Sequence, residues 1–261
     1  SLVGSEMCIR DRDKGTIVVS SDGKNLSVSA QKGGNVPSHA GYVVKQKRTP
    51  LMQKVTVQAN TKKKMTPLRS DASAAYQHYE RKNIKIRISA QAKSFTNLKQ
   101  IQYKFVKKGT SKGSVPYKTG TTLTLKDGMI GRVYVRFVTD AGIDEMQLPG
   151  IAVDKKAPTK TKIKVNRSGI KTLKTSTKTS YNKKIKKSAK FVFSASYGIS
   201  GKSKTQYKIV PKGKKASKYR WKTANKITYK KKNKKVSIYA RFIDKCGNIT
   251  QRKSSGFYIT K

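Results

Sequence analysis

The chain has 261 residues, with 61 Lys/Arg against 12 Asp/Glu and a formal net charge of +49. Two Cys and two His cannot assemble a disulfide framework or a multi-ligand metal cluster, and no apolar run approaches the roughly 20 residues that span a bilayer. Leu, Ile, Val and Phe make up about a fifth of the residues, which at this charge borders on disorder, but their alternating placement argues for folded modules with a charged skin.

Residues 2–11 (LVGSEMCIRD) resemble one reading frame of a sequencing-library adapter, which implies that residues 1–12 are non-native and that Met7 is not a biological start. Residues 13–49 are expected to be the C-terminal strands of a truncated module. The spacing of Gly41, Val44 and Pro50 matches that of Gly150, Val153 and Pro158 further along.

Two complete modules follow, at 50–157 and 158–261, because one set of phrases occurs twice about 105 residues apart. Tyr103, Lys104 and Gly109 return as Tyr207, Lys208 and Gly213. Tyr134, Arg136 and Phe137 return as Tyr239, Arg241 and Phe242, and Gly150 returns as Gly256. A period of this length is one small domain, so the chain reads as a tandem array.

Strands are predicted at about 53–59, 83–90, 100–107, 121–126, 132–139 and 149–154 in the first module. In the second they fall at about 160–166, 189–196, 204–210, 226–230, 235–243 and 255–260. Ile84, Ile86 and Ile88 alternate with Lys85 and Arg87, the period-two pattern of a half-buried strand. Ile and Val together number 38 against 9 Leu, a strand-former's bias. Ser70–Lys82 reads as a short helix on its alanines, whereas its counterpart Thr172–Lys186 does not. Asp127-Gly128 and Lys232-Asn233 read as hairpin turns between neighbouring strands. The pattern predicts an all-β fold of tandem two-sheet sandwiches.

The repeated phrases, with the closing Gly-x-x-[Val/Ile] strand before Asp154-Lys-Lys-Ala-Pro158, resemble the bacterial Ig-like repeats of Gram-positive surface and secreted proteins. Residues 244–250 (DKCGNIT) are similar to a turn common in that family; the first copy departs from it, with TDAGIDE at 139–145. The resemblance implies an immunoglobulin-like fold, an extracellular or cell-surface location, and roles as stalk, adhesive or glycan-binding module. It specifies an architecture and no chemistry.

No catalytic constellation is legible, and no enzyme activity, cofactor or metal is expected. His39 and His78 belong to no ligand motif and read as surface residues. Asp140, Asp144 and Glu145 cluster near one turn but lack Ca²⁺-loop spacing, and read as a solvated turn. The stretch from Gly198 to Ser203 imitates a phosphate loop but has Ser196 in place of its first glycine, and it lies between strands. Cys246 stands where the first copy has Ala141 and reads as a small buried residue.

Lysine remains. Residues 158–261 carry 32 Lys/Arg and one acid, Asp244; residues 51–157 carry 21 and 7. Lys183, Lys184, Lys186, Lys187, Lys212, Lys214, Lys215, Lys218, Arg220, Lys222, Lys230, Lys231, Lys232, Lys234 and Lys235 are the candidate anion-binding residues. Tyr219, Trp221 and Tyr229 lie among them as candidates for stacking on sugar rings, and Trp221 as a core residue is an equal alternative. Lys outnumbers Arg, which favours diffuse charge over base readout. The expected partner is therefore an anionic cell-wall polymer or acidic polysaccharide. Non-specific nucleic-acid binding and a spacer role beside a catalytic domain are the alternatives. The modules are expected to be monomeric and not inserted in a membrane.

Overall fold

The computed structural model describes residues 7–11, 15–21, 26–31, 51–69, 74–94, 96–165 and 169–260. Residues 1–51 form one unit, within which β1 (Met7–Asp11), β2 (Gly15–Ser21) and β3 (Leu26–Gln31) make an antiparallel sheet in that order. The repeated spacing at Gly41 to Pro50 lies outside the described residues, as do His39 and Ser70 to Ser73.

Residues 52–261 form the second unit, and it contains two sandwiches of the same design. In the first sandwich, β4 (Met52–Ala59), β5 (Leu68–Arg69), β6 (Tyr76–Glu80), β7 (Ile84–Ala92) and β8 (Leu98–Lys107) come first. Next come β9 (Lys118–Thr119), β10 (Thr122–Leu125), β11 (Ile130–Thr139), β12 (Gly142–Gln147) and β13 (Gly150–Val153). A three-stranded sheet, β10-β7-β4, faces a seven-stranded sheet ordered around β11, with β8 and β12 flanking it and β6 joined to β13 in parallel.

The second sandwich repeats this strand for strand. Its elements are β14 (Thr159–Val165), β15 (Thr172–Leu173), β16 (Lys183–Lys186), β17 (Ala189–Ser196) and β18 (Lys202–Pro211). They continue with β19 (Lys222–Thr223), β20 (Lys226–Tyr229), β21 (Val236–Asp244), β22 (Ile249–Ser254) and β23 (Phe257–Thr260). Among the described residues the helical content is one 3-10 turn, Ala216–Lys218. All-β tandem sandwiches are thus what the alternating pattern predicts.

The cores follow from that alternation. Ile84, Ile86 and Ile88 are buried on β7, as are Leu123 and Leu125 on β10 and Val133, Val135 and Phe137 on β11. Phe191, Phe193, Ile238, Phe242, Phe257 and Ile259 do the same in the second sandwich. The repeated Gly150 and Gly256 lie where the closing strand passes an aromatic ring. A Cβ would meet Tyr76 at 2.7 Å in the first copy and Tyr181 at 2.3 Å in the second.

Three expectations are corrected. The segment read as a helix at Ser70–Lys82 contains β6, because parallel pairing with β13 outweighs the local alanine content. Asp127-Gly128 and Lys232-Asn233 are turns but not hairpins. β10 and β20 pair in the small sheets while β11 and β21 pair in the large ones, so each turn carries the chain across the sandwich. His78 is buried at 2% exposure on β6, opposite Ile151, rather than on the surface. Neither ring nitrogen has a hydrogen-bond partner among the described residues. Burial holds its pKa below the ordinary imidazole value; Lys63 adds to the depression and Glu80 opposes it.

A polar knot joins the sandwiches. Asp154, 2% exposed, ends the first sandwich, with its backbone N–H donating to Glu80 O at 3.0 Å. Its carboxylate accepts from Ser200 N and Ser200 Oγ (3.2 and 2.7 Å) in the turn that imitates a phosphate loop. Asn248 Nδ2 donates to Asp154 O at 2.7 Å and to Asp244 Oδ2 at 2.8 Å. Cys246, fully buried, directs its thiol at Ala152 O, and burial pushes that thiol up to about 11. The turn at 244–248 thus clasps the linker that precedes it by some 90 residues, and Thr250 Oγ1 donates to Pro158 O at 2.6 Å. Cys246 is the small buried residue expected.

Two outcomes follow for this unit. Asp154→Ala leaves two buried donors of Ser200 unpaired, which costs about 1–3 kcal/mol and lowers Tm by roughly 2–12 °C in a unit of this size. In a Cys8→Ser background it should also expose Cys246 to a thiol reagent in native buffer, where the parent chain reacts only on unfolding. His78, with its folded pKa below its unfolded one, contributes stability that is complete above about pH 6.5 and is lost as pH falls through the folded value. The denaturation midpoint should therefore drop between pH 8 and pH 5.5, and the drop should shrink in His78→Leu.

Candidate anion-binding surface

The second sandwich has one carboxylate side chain, and the fold spends it internally. Asp244 is 1% exposed and accepts from Asn248 N and Nδ2, both at 2.8 Å. That sandwich therefore has no second acidic side chain to set against its lysines. Among the described residues every ion pair falls on Glu145 of the first sandwich.

Backbone hydrogen bonds gather three of the lysine clusters at one end. Lys212 N donates to Lys235 O at 2.9 Å, which ties the turn holding Lys214 and Lys215 to the run Lys230, Lys231, Lys232, Lys234 and Lys235. Asn233 N donates to Ile259 O at 2.9 Å and Lys187 N to Thr260 O at 3.1 Å, so β23 links that run to Lys183, Lys184, Lys186 and Lys187 on and just after β16. Nearly all these lysines are exposed; Lys183 is half-buried. Asn233 and Lys187 adopt left-handed φ values of 55° and 62°, which lets the chain turn sharply between charged residues. Lys218 N donates to Lys215 O at 3.2 Å, so the 3-10 turn leads from these lysines to Arg220 and to Lys222 on β19.

The aromatic candidates separate. Tyr229 is 5% exposed and meets Phe257 edge-on at 5.5 Å. It is a core residue and cannot stack on a sugar, a correction that follows from its inward position on β20. Tyr219 is half-buried. Trp221 is half-buried outside the core, with Lys208 Nζ 4.5 Å and Arg241 Cζ 4.6 Å from its ring.

Sequence reasoning missed the residues beneath Trp221. Register places Lys208, Tyr239 and Lys253 in one row across β18, β21 and β22, and Gln206, Arg241 and Gln251 in the next. Lys208 is 9% exposed and Lys253 6%. Burial lowers the pKa of both ammonium groups, and Arg241 adds to the effect on Lys208. Lys208 Nζ donates to Ala216 O at 2.5 Å, and Arg241 Nε donates to Gln206 Oε1 at 2.6 Å. The polar letters of the repeated phrases therefore build this face.

The first sandwich holds the same rows, with Lys104, Tyr134 and Gln147 above Gln102, Arg136 and Glu145. Tyr117 replaces Trp221, with Lys104 Nζ and Arg136 Cζ at 4.3 and 4.0 Å from its ring. Glu145 accepts from Lys112 Nζ, Tyr117 OH and Arg136 Nε, the last at 3.1 Å. Burial alone would raise its pKa, but these bonds outweigh it and bring the carboxyl down to about 2. Glu145 and Asp144 are thus half-buried and bonded, whereas Asp140 stays exposed as expected of a solvated turn. Asp140 accepts from Asn97, and Asp144 accepts from Met52 N at 2.9 Å. No group of residues among those described could hold a metal ion.

No family model matches the chain, and no curated protein does. Among solved structures it is similar to the fibronectin(III)-like modules of Clostridium thermocellum CbhA, at 13% identity and a TM-score of 0.32, over 75% of this chain and 94% of that one. It is also similar to the chicken CNTN1 FN1–FN3 domains, at 10% identity and a TM-score of 0.32, over 99% of each chain. At that overlap the fold assignment rests on the strand pairing itself.

Because the Glu145 carboxyl is depressed in the folded chain, its contribution is full above the unfolded value, about pH 4.3. It is lost as pH falls through about 2. Glu145→Gln should remove that acid-limb dependence and lower stability near pH 7 by about 1–3 kcal/mol, read from urea midpoints.

Proposed function

We propose that this chain is the non-catalytic repeat region of a bacterial surface or secreted protein, and that its second sandwich adheres to an anionic polymer of the cell wall or to an acidic glycan. One observation carries the reading: the sole carboxylate side chain of that sandwich, Asp244, is buried and hydrogen-bonded, so it offers no counter-charge to the exposed members of its 32 Lys/Arg. Self-repulsion at such density destabilises a compact state and is relieved by a bound polyanion. The preponderance of lysine supports a partner of diffuse charge over a nucleic-acid sequence. The clasped joint supports a second, compatible role as a stiff spacer, since it couples the two sandwiches through buried hydrogen bonds.

Co-sedimentation of the whole chain with Gram-positive wall sacculi, before and after their anionic polymer is stripped, tests the adhesive reading. Binding should survive 300 mM salt, disappear on stripping and resist competition by DNA. A triple change of Lys231, Lys232 and Lys234 to Glu should reduce the bound fraction about fivefold. Binding that is indifferent to stripping, or absent at 300 mM salt, would leave the spacer role alone.

A further inference from the structure

The two sandwiches use one outward face in two ways. In the first, the row across β8, β11 and β12 ends in Glu145, which supplies a carboxylate to Arg136, Lys112 and Tyr117. In the second, the turn before β22 is one residue longer, and the residue paired with Arg241 is Gln251. The carboxylate has become its neutral amide counterpart, and that amide is exposed. Two residues along the same strand, on the same face, Gln147 has become Lys253. The face has therefore lost an anion and gained a cation at neighbouring positions, while the ring above it has grown from Tyr117 to Trp221.

We propose that the outward face of β18, β21 and β22 is a carboxylate-binding subsite, taking a uronic-acid unit of an acidic polysaccharide where the first sandwich places its own Glu145. This deepens the adhesive reading above and rests on it. Three cations, Lys208, Arg241 and Lys253, share the face, and no carboxylate pairs with them among the described residues. Two of the three are ammonium groups already largely withdrawn from water. The desolvation that usually opposes ion pairing is therefore partly met before a ligand arrives. Arg241 commits Nε to Gln206, and its terminal nitrogens are a planar donor pair suited to a carboxylate. The first sandwich supplies the template, since the group it holds against the equivalent arginine is a carboxylate.

The neighbours of the cations select a sugar. Gln206 is held in place between Arg241 and Thr223, to which its Nε2 donates at 3.2 Å, whereas the exposed Gln251 offers an amide donor and acceptor on the other side of Arg241, as ring hydroxyls require. Trp221 and Tyr239 bring aromatic surface to the same face, each within 6.0 Å of Lys208 Nζ. A pyranose offers an apolar C–H face to such rings while its carboxylate reaches the arginine. The lysine pole at 183–187, 212–215 and 230–235 would hold further units of the polymer by charge alone, whereas this face would read the acid group.

Trp221 is the one tryptophan of the chain, so its fluorescence reports this face directly. Titration of the whole chain with oligogalacturonate in 150 mM salt should give a saturable change in emission, and neutral malto-oligosaccharide should give none. Gln251→Glu, which restores the built-in carboxylate, should weaken the response at least about tenfold. Lys231→Glu, a larger charge change outside the two rows of this face, should leave it within about twofold. No saturable change, or equal losses in the two variants, would overturn the subsite and reduce uronate binding to general attraction. A glycerol-phosphate oligomer that matches the response with the same sensitivity to Gln251→Glu would overturn the choice of carboxylate. Sedimentation with sacculi reads the broader adhesion separately, so its loss in the unmodified chain marks failure of that reading rather than of the subsite.

Discussion

Positive charge without counter-charge is the constraint around which the second sandwich is built. Its 32 cationic side chains share one carboxylate, and that carboxylate is committed to the joint. Folding proceeds because the inward rows remain predominantly apolar, with Phe191, Phe242 and Phe257 fully buried, so the hydrophobic term is largely untouched by what happens outside. Outside, the long stems of Lys208 and Lys253 lie along the sheet while their ammonium groups sit near the rings of Trp221 and Tyr239. Cation–π contact is the compensation available to a surface without acids, and each such contact is worth about 0.5–2 kcal/mol.

That economy explains why Asp244 is withheld from the surface. Its two oxygens align Asn248, whose amide reaches the carbonyl of Asp154 in the linker. A carboxylate buried between hydrogen-bond donors is worth more in fixing geometry than one lost among exposed lysines, where solvent and salt screen it. The joint then depends on both partners: Asp154 from the first sandwich, and Ser200, Cys246 and Asn248 from the second. The two sandwiches accordingly form one compact unit rather than beads on a flexible thread.

One strand framework has diverged in chemistry by a few substitutions on its outward face. Lys104 and Lys208, Arg136 and Arg241, and Tyr134 and Tyr239 keep their places in register. The exchange of Glu145 for Gln251 and of Gln147 for Lys253 converts a cluster that holds its own carboxylate into one that has none. Neither change touches the core, so neither is resisted by packing. Divergence of this kind is available to any repeat whose motif residues point alternately in and out.

The sequence by itself determined the repeat, the all-β class and the principal strands, because period-two alternation of Ile, Val and Phe is a local pattern that maps directly onto one buried face. The marginal strands at 68–69, 76–80, 118–119 and 142–147, and their counterparts at 172–173, 183–186, 222–223 and 249–254, were not legible: they are short or polar and are held mainly by backbone pairing with strands distant in sequence. The same holds for His78, buried by a parallel partner some 70 residues away, and for the turn at 198–203, whose Ser200 serves the linker. Lysine clusters were visible as runs, but the anion-poor face was not, since Lys208, Arg241 and Lys253 are separated by up to 45 positions and meet only through sheet register. Composition and periodicity are properties of neighbours along the chain, whereas pairing, burial of polar groups and juxtaposition of charge are properties of neighbours in space, and only the tertiary structure decides those.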